Sequence, residues 1–189
     1  GQAQFHPLQY LAGLTQALHR SGGRVFTGSH ADAIEGGTPA LVHVGQRIVT
    51  ADAVVVGTNT PINDRVAIHT RQAPYMTNVI GARVPRGSVP AVLAWDTGDP
   101  YHYVRVTAAG ADDILIVGGE DHKSGQADDT HERHARLEAW TRARFPMAGE
   151  VAFCWGGQIM ETVDYLSFTG RNPMDKDNVF IHTGDSGMG

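Results

Sequence analysis

The stretch AVVVGTNTP, residues 53–61, decides the fold class. A continuous apolar run that ends in a glycine and small polar residues is typical of a strand buried on both faces, as in a parallel sheet covered by helices. Loops at the carboxyl ends of such strands are where α/β proteins bind ligands. We therefore predict an α/β fold in which the loop beginning at Gly57 borders a binding site.

A second short run of this kind, residues 178–182, leads directly into TGDSGMG, residues 183–189. We expect it to rejoin the sheet of the first run. Towards the beginning of the chain, Pro7 and Ser21-Gly22-Gly23 are start and stop signals around a helix with leucines on one face. A short strand is predicted at residues 24–27. Gly45-Gln46, between two apolar runs, predicts a type II′ hairpin.

The middle of the chain has a different pattern, with several short strands and turns predicted between residues 75 and 118. The clearest pair is residues 91–97 and 101–106, which indicates an antiparallel sheet without crossover helices. A second helix is predicted at residues 129–145, where Asp129 and Glu132 have the spacing of a capping box. The order of elements indicates a mixed α/β and α+β fold, in which an antiparallel domain is inserted into a nucleotide-binding type of domain.

Tyr101, Tyr103 and Arg105 would share one face of a strand, because side chains alternate along it. Two phenols and a guanidinium could receive a carboxylate or line an aromatic pocket, and a surface ladder is equally compatible with the pattern. Trp155 and Gln158 could border a site or have ordinary core or loop roles. Asp121, which follows Gly118-Gly119, is interpreted as part of a surface turn that could border a pocket.

Two catalytic motifs are considered and set aside. Gly184-Asp185-Ser186-Gly187 matches the nucleophile motif of trypsin-like serine proteases, but neither the flanking residues nor the helices fit that class of protein. His131-Glu132-Arg133-His134 resembles a zinc motif, but its histidines are three residues apart instead of four. We expect no metal site in this chain, and Cys154 is its only cysteine.

Composition excludes further classes. The formal net charge of -5 and the sequence pI near 6.0 provide no basic field for nucleic acid. No apolar stretch approaches the ~20 residues that span a bilayer, so we expect no membrane association. A single cysteine favours a reducing, cytoplasmic setting.

Taken together, several segments resemble the FAD-dependent oxidoreductases of the D-amino acid oxidase type. They are most similar to the subgroup in which a Rieske iron–sulfur domain follows the flavoprotein portion. The resemblance covers essentially the whole chain, and the order of the segments makes it specific. The segments are QFHPLQYLAGL (4–14), VVVGTNTPINDR (54–65), WDTGDPYHYVRV (95–106), ILIVGGEDHKSGQ (114–126), WGGQIMETVDYLSFTGRNP (155–173) and HTGDSGMG (182–189).

The resemblance implies a partial Rossmann-like FAD-binding domain with an inserted antiparallel substrate domain. Residues 1–70 and 151–189 would belong to the FAD-binding domain and residues 71–150 to the substrate domain. Tyr101, Tyr103, Arg105, Trp155 and Gln158 would bind the substrate. The cofactor-binding residues would be Ala31 near the adenine, Gly57, Thr58 and Asn59 in the dinucleotide loop, and Gly184, Asp185, Ser186, Gly187, Met188 and Gly189 beside the flavin.

The chain also departs from the family pattern, since it lacks the first glycine-rich dinucleotide turn and any Rieske cysteine and histidine ligand pairs. We interpret it as an internal fragment that binds FAD weakly or not at all, with a 2Fe-2S cluster possible in a missing domain. The parent would oxidise a C–N bond of an amine or amino acid and pass electrons to oxygen or an iron–sulfur acceptor. No catalytic base is assigned, and the alternative is a non-catalytic nucleotide-binding or assembly module.

Overall fold

The computed structural model describes residues 3–63 and 66–186. Within these residues the chain forms two helices and three sheets. The elements are α1 (Pro7–Arg20), β1 (Ala33–Glu35), β2 (Ala40–Val44), β3 (Arg47–Ala51), β4 (Val54–Val56), β5 (Gln72–Pro85), β6 (Ala94–Trp95), β7 (His102–Ala109), β8 (Asp112–Lys123), α2 (Thr130–Arg144), β9 (Val151–Thr162), β10 (Phe168–Arg171) and β11 (Val179–Thr183).

The largest sheet is antiparallel, with strand order β6-β7-β8-β5-β9. The prediction of several short strands was wrong in detail, because β5 and β8 are 14 and 12 residues long. Strand β5 pairs with β8 on one side and with β9 on the other, and each pairing continues past one register shift. The strand predicted at residues 91–97 shortens to β6, which pairs only with β7.

Helix α2 covers one face of this sheet. Leu137 is 0 % exposed and belongs to a core that includes Ile80, Leu115 and Val117 from the sheet. The helix begins at the predicted place, but the capping-box interpretation was wrong. The Asp129 carboxylate makes no cap hydrogen bond and instead accepts one from Arg133 Nε at 2.7 Å.

Strands β4 and β11 form the predicted parallel pair, in which Val54 lies opposite Val179. Strand β10 pairs with β11 in the antiparallel sense to complete a three-stranded sheet. One face is buried around Val56 and Ile181. The other face is not, because Val55 is 72 % exposed, so in this chain the strand is covered on one side only.

The third sheet is the small antiparallel unit β1-β2-β3. Gly45 begins the two-residue loop of the predicted hairpin with a φ of +57°, as a type II′ turn requires at this position. Asn178 ties this sheet to β11, since its Nδ2 donates to the carbonyls of Gly37 and Asp52. The strand predicted at residues 24–27 is not formed, because none of the described strands pairs with it.

Helix α1 forms where predicted, and its apolar face is open. Leu8, Leu11, Leu14 and Leu18 are all exposed, and no residue of the helix is buried. Neither described helix is long and apolar enough to cross a membrane.

The antiparallel sheet continues beyond residue 150, the predicted boundary of the substrate domain. Strand β9, from Val151 to Thr162, forms its backbone hydrogen bonds with β5. It does not pair with β4 or β11, which belong to a different sheet. In the structure the chain therefore returns to the parallel pair only after Thr162, and the division of the chain into domains stays a prediction.

Candidate functional site

The loops that follow β4 and β11 lie side by side, as expected for the carboxyl ends of parallel neighbours. The Thr183 hydroxyl, at the end of β11, donates a hydrogen bond to the carbonyl of Asn59. Within the first loop, Thr58 Oγ1 donates to the carbonyl of Thr60 at 2.7 Å. The first bond links the two loops, and the second closes the first loop on itself.

The turn after β11 requires a glycine at its first position. Gly184 has a φ of +75°, and a Cβ on this residue would overlap Thr162 Cγ2 at the end of β9. Two residues later, the Ser186 amide donates to the carbonyl of Met160 at 3.1 Å. The turn is therefore packed directly against the backbone of β9, where a side chain at Gly184 has no room.

Ser186 itself is only 8 % exposed, and its hydroxyl is bonded to backbone groups. It accepts from the Thr162 amide and donates to the carbonyl of Gly184, each at 3.4 Å. No histidine among the described residues is bonded to it. This arrangement does not provide the activated, accessible hydroxyl of a serine hydrolase.

A cleft of about 330 Å³ opens between these loops and β9. It brings together the predicted cofactor residues Gly57, Asn59 and Asp185 with the predicted substrate residue Gln158. Sequence analysis missed three further lining residues. Two of them lie at the end of a predicted strand, and that position is the only sequence signal that could have indicated them. These are Ile159 on β9 and His182 and Thr183 at the end of β11.

Strand β9 is the edge strand next to the cleft. Asn59 Nδ2 donates to the Gln158 carbonyl at 3.2 Å, which links the first loop to this edge. Trp155 is placed elsewhere: three residues earlier on a regular strand, its side chain points to the opposite face from that of Gln158. Trp155 is 42 % exposed and does not line the cleft.

The face of the large sheet that α2 leaves open carries the predicted tyrosines. The rings of Tyr101 and Tyr103 lie 6.2 Å apart, and Tyr103 Oη lies 3.3 Å from Thr77 Oγ1 on β5. To reach Thr77, Tyr103 crosses β8 at Gly118, where any Cβ would overlap its ring. The phenol therefore extends across the sheet towards β9 and the cleft.

Arg105 shares this face but lies further along β7. Its Nη1 donates to the Phe5 carbonyl at 3.5 Å, beside a second cleft of about 380 Å³. The structure therefore brings the two tyrosines together and places the guanidinium against the segment before α1.

Asp121 belongs to the same open face, not to a surface turn. It lies near the end of β8, beside Thr77, where the β5–β8 register shifts. Burial raises the pKa of the Asp121 carboxyl, and the Thr77 hydroxyl partly lowers it again. Burial likewise raises the pKa values of Tyr101 and Tyr103, and the charge of Asp121 adds to both shifts. The phenols therefore stay protonated at neutral pH.

Three described residues of the predicted cofactor set, Ala31, Thr58 and Ser186, do not line the cleft, and Ala31 precedes β1. The predicted residues Gly187, Met188 and Gly189 lie outside the described residues. In the HERH segment, His134 Nε2 contacts the Trp155 carbonyl at 3.2 Å. Within the part of the chain that the structure describes, no group of three or more histidine, cysteine, aspartate or glutamate residues could hold a metal ion.

Two curated proteins are similar to this chain over 97 % of its length. YhfW of Bacillus subtilis (strain 168), which carries the name of a Rieske 2Fe-2S iron–sulfur protein, is 23 % identical over 184 residues. The gamma-glutamylputrescine oxidoreductase of Escherichia coli (strain K12) is 28 % identical over 192 residues. The chain spans 36 % and 44 % of the lengths of these two relatives.

Solved structures agree in fold. The L-proline dehydrogenase from P. horikoshii superposes with a TM-score of 0.73 at 18 % identity, covering 96 % of this chain and 50 % of that one. The glycine oxidase from Geobacillus kaustophilus gives 0.70 at 17 % identity, covering 92 % and 47 %. The DAO family model, described as FAD dependent oxidoreductase, matches residues 1–189. The chain therefore belongs to the DAO family of FAD-dependent oxidoreductases.

Proposed function

We propose that the protein containing this chain oxidises a C–N bond of an amine or amino acid with FAD as the hydride acceptor. The observation that carries the proposal is the meeting of two structures at one cleft. The loops after β4 and β11 form one wall of the cleft, and the edge strand of the tyrosine-bearing sheet forms the other. In such an arrangement a cofactor held by the loops faces a substrate held on the sheet.

The loop residues suit a flavin. Gly57 lines the cleft with backbone and has open space where a Cβ would be, while Gly184 allows the turn that brings Asp185 to the cleft. Backbone amides in a turn of positive φ, such as the turn at Gly184 and Asp185, can stabilise negative charge on a neighbouring ring. We propose that Gly57, Thr58 and Asn59 help to hold the dinucleotide and that residues 184–189 pass beside the flavin, with Ala31 near the adenine.

The sheet residues suit a small organic substrate. Tyr101 and Tyr103 present protonated phenols and aromatic faces on the side of the sheet that α2 leaves open. We propose that they bind the substrate, with Arg105 and Trp155 bordering the same face further from the cleft. Gln158, whose side chain lies on the other face of β9, would contact the substrate from the cleft at the sheet edge. FAD, when bound, supplies the hydride acceptor, and the chain's own residues position the carbon to be oxidised. No described group requires the role of a catalytic base.

The electron acceptor of the reduced protein is proposed to be oxygen or an iron–sulfur centre. The name of YhfW supports the second choice, because it pairs a relative of this chain with a 2Fe-2S cluster. Cys154 is free and exposed, which is compatible with a reducing compartment, so we propose a cytoplasmic location.

The test uses the full-length protein, purified with its bound flavin and mixed without oxygen with a panel of N-methylated amines and amino acids. We expect the visible flavin absorbance to bleach with at least one member and to return when oxygen or an iron–sulfur acceptor is added. A flavin that dithionite reduces but no amine bleaches would contradict the proposal and favour the non-catalytic module. Treatment with a fluorophosphonate tests the hydrolase alternative, and we expect it to leave Ser186 unlabelled.

A further inference from the structure

The segment Gly118-Gly119-Glu120-Asp121 places two consecutive carboxylates on opposite sides of the large sheet. Gly119 has a φ of +151° and Glu120 a φ of +56°, which is left-handed backbone at a non-glycine residue. The distortion lies where the β5–β8 register shifts between Met76 and Asn78. The extra residue on β8 changes the face to which the following side chains point. It places Asp121 opposite Thr77, on the face that carries Tyr103.

The two carboxylates have different surroundings. Glu120 faces α2, where Arg136 Nε lies 2.7 Å from its Oε2 and Arg133 Nη1 lies 3.9 Å away. Asp121 forms no ion pair with any described lysine or arginine, although the Thr77 hydroxyl and the charges of His122 and His102 lower the pKa of its carboxyl. Its Oδ1 is buried without a hydrogen-bond partner in the described part of the chain. A buried carboxylate oxygen without a hydrogen-bond partner is unfavourable, so Oδ1 of the half-buried Asp121 indicates a position that another group completes.

The neighbours of Asp121 favour a cation as that group. The phenols of Tyr101 and Tyr103 lie close enough for the Asp121 charge to raise the pKa of each, and Glu161 on β9 acts on Tyr101 in the same sense. Lys123 is directed elsewhere, with its Nζ 5.9 Å from the centre of the Tyr75 ring. Carboxylates beside aromatic faces attract ammonium groups through charge and through cation–π contact.

The position of Asp121 separates this group from the reacting centre. Strands β8, β5 and β9 are consecutive in the sheet, and the cleft lies at β9. Neighbouring strands are about 4.8 Å apart, so Asp121 lies roughly 10 Å across the sheet from the strand that borders the cleft. That distance suits a substrate of several carbon atoms with one nitrogen at the cleft and another at Asp121.

We propose that Asp121 binds a positively charged nitrogen of the substrate other than the nitrogen being oxidised. Asp121 is then a specificity-determining residue that selects amines with a second cationic group. This inference rests on the proposed amine oxidation and specifies its substrate class. Tyr101 and Tyr103 contribute their ring faces to the same ammonium group.

The test compares the full-length flavoprotein with its Asp121→Asn variant, using 1,5-diaminopentane and hexylamine as probes of matched length. For the wild type we expect flavin bleaching at lower concentrations of the diamine than of the monoamine. In Asp121→Asn the KM for the diamine should rise about 10- to 100-fold, the loss expected for a charge-assisted hydrogen bond, with the KM for hexylamine little changed. Asp128→Asn, which makes the same charge change at an exposed position, should behave as wild type.

A binding measurement is independent of turnover. Addition of 1,5-diaminopentane should raise the unfolding temperature of the wild type and of Asp128→Asn, but not that of Asp121→Asn, while Asp121→Glu should retain part of the shift. A wild type with no preference and no thermal shift for the diamine would overturn the role of Asp121, even if other amines bleach the flavin. Failure of every amine to bleach the flavin would instead contradict the proposed function, and the thermal shift would still decide on Asp121.

Discussion

The large antiparallel sheet and the parallel pair differ in how completely they bury their apolar surface. The sheet closes its own core, with Leu137 of α2 packed against β5, β7 and β8. In the parallel pair Val55 remains exposed, and the leucine face of α1 is exposed as well. The comparison teaches that the stability of this chain resides mainly in the sheet, whereas the loops proposed to hold the cofactor belong to the less covered part.

The largest effect is expected from a cavity in the sheet core. Leu137→Ala should lower the free energy of unfolding by about 2–5 kcal/mol, because the fully buried side chain leaves a cavity that neighbours cannot fill. The control is Leu11→Ala on α1, where the leucine is 54 % exposed and the change should be within about 0.5 kcal/mol. Denaturant unfolding measures both, and equal losses would break the comparison.

The next effect lies in the turn after β11. Gly184→Ala should destabilise the chain by about 1–3 kcal/mol more than Gly110→Ala, since the added methyl group overlaps Thr162 only at Gly184. The two glycines have similar φ values, +75° and +67°, so the difference between the variants isolates the overlap from backbone strain. In the full-length protein, Gly184→Ala should also lower the amount of bound flavin, read from its absorbance. A turn that tolerates alanine equally at both positions would mean that it is not packed against β9.

A smaller effect is expected on the open face of the sheet. Tyr103→Phe should cost about 1 kcal/mol of unfolding free energy, because it removes the hydrogen bond with Thr77. Tyr101→Phe is the matched control, since no described hydrogen bond involves its hydroxyl. A cost that is the same for both tyrosines would show that the Tyr103–Thr77 contact does not order this face.

The smallest effect concerns Asp121 and depends on pH. The pKa of Asp121 is raised in the folded state, so the folded chain binds the proton more tightly than the unfolded chain does. The chain therefore loses stability as the pH rises from the unfolded-state pKa to the folded-state pKa. At neutral pH, Asp121→Asn should therefore unfold at a slightly higher temperature than wild type. The difference should vanish below the ordinary aspartate pKa of about 3.9. A melting temperature below that of wild type at pH 7 would instead assign the carboxylate a structural role.

Local patterns predicted much of the parallel region. The valine run of residues 54–56 and the run that became β11 are short, apolar and followed by glycine or small polar residues, and they pair as expected. Pro7 and Gly45 likewise specify a helix start and a hairpin turn within a few residues of chain. The strand predicted at residues 24–27 failed because a strand forms only where a partner lies beside it, and its own sequence does not provide one.

The candidate site was predictable only where it coincides with strand ends. Asn59 and Asp185 follow predicted strands, and the structure brings both to the cleft. Ile159 was missed because it faces the cleft only through the pairing of β9 with β5, across more than 70 residues of chain. Asp121 was misread because its orientation depends on a register shift that hydrogen bonding between two distant strands produces.

The sequence by itself determined the helices, the hairpin and the two parallel strands, because backbone preference and apolar periodicity act over a few residues. It also determined the family, through the order of motifs along the whole chain. Only the tertiary structure decided that Gly184 packs on Thr162, that Tyr103 crosses Gly118 to reach Thr77, and that the Oδ1 atom of Asp121 is buried without a hydrogen-bond partner in the described part of the chain. These contacts join residues far apart in the chain, and long-range pairing and steric exclusion are properties of the assembled fold.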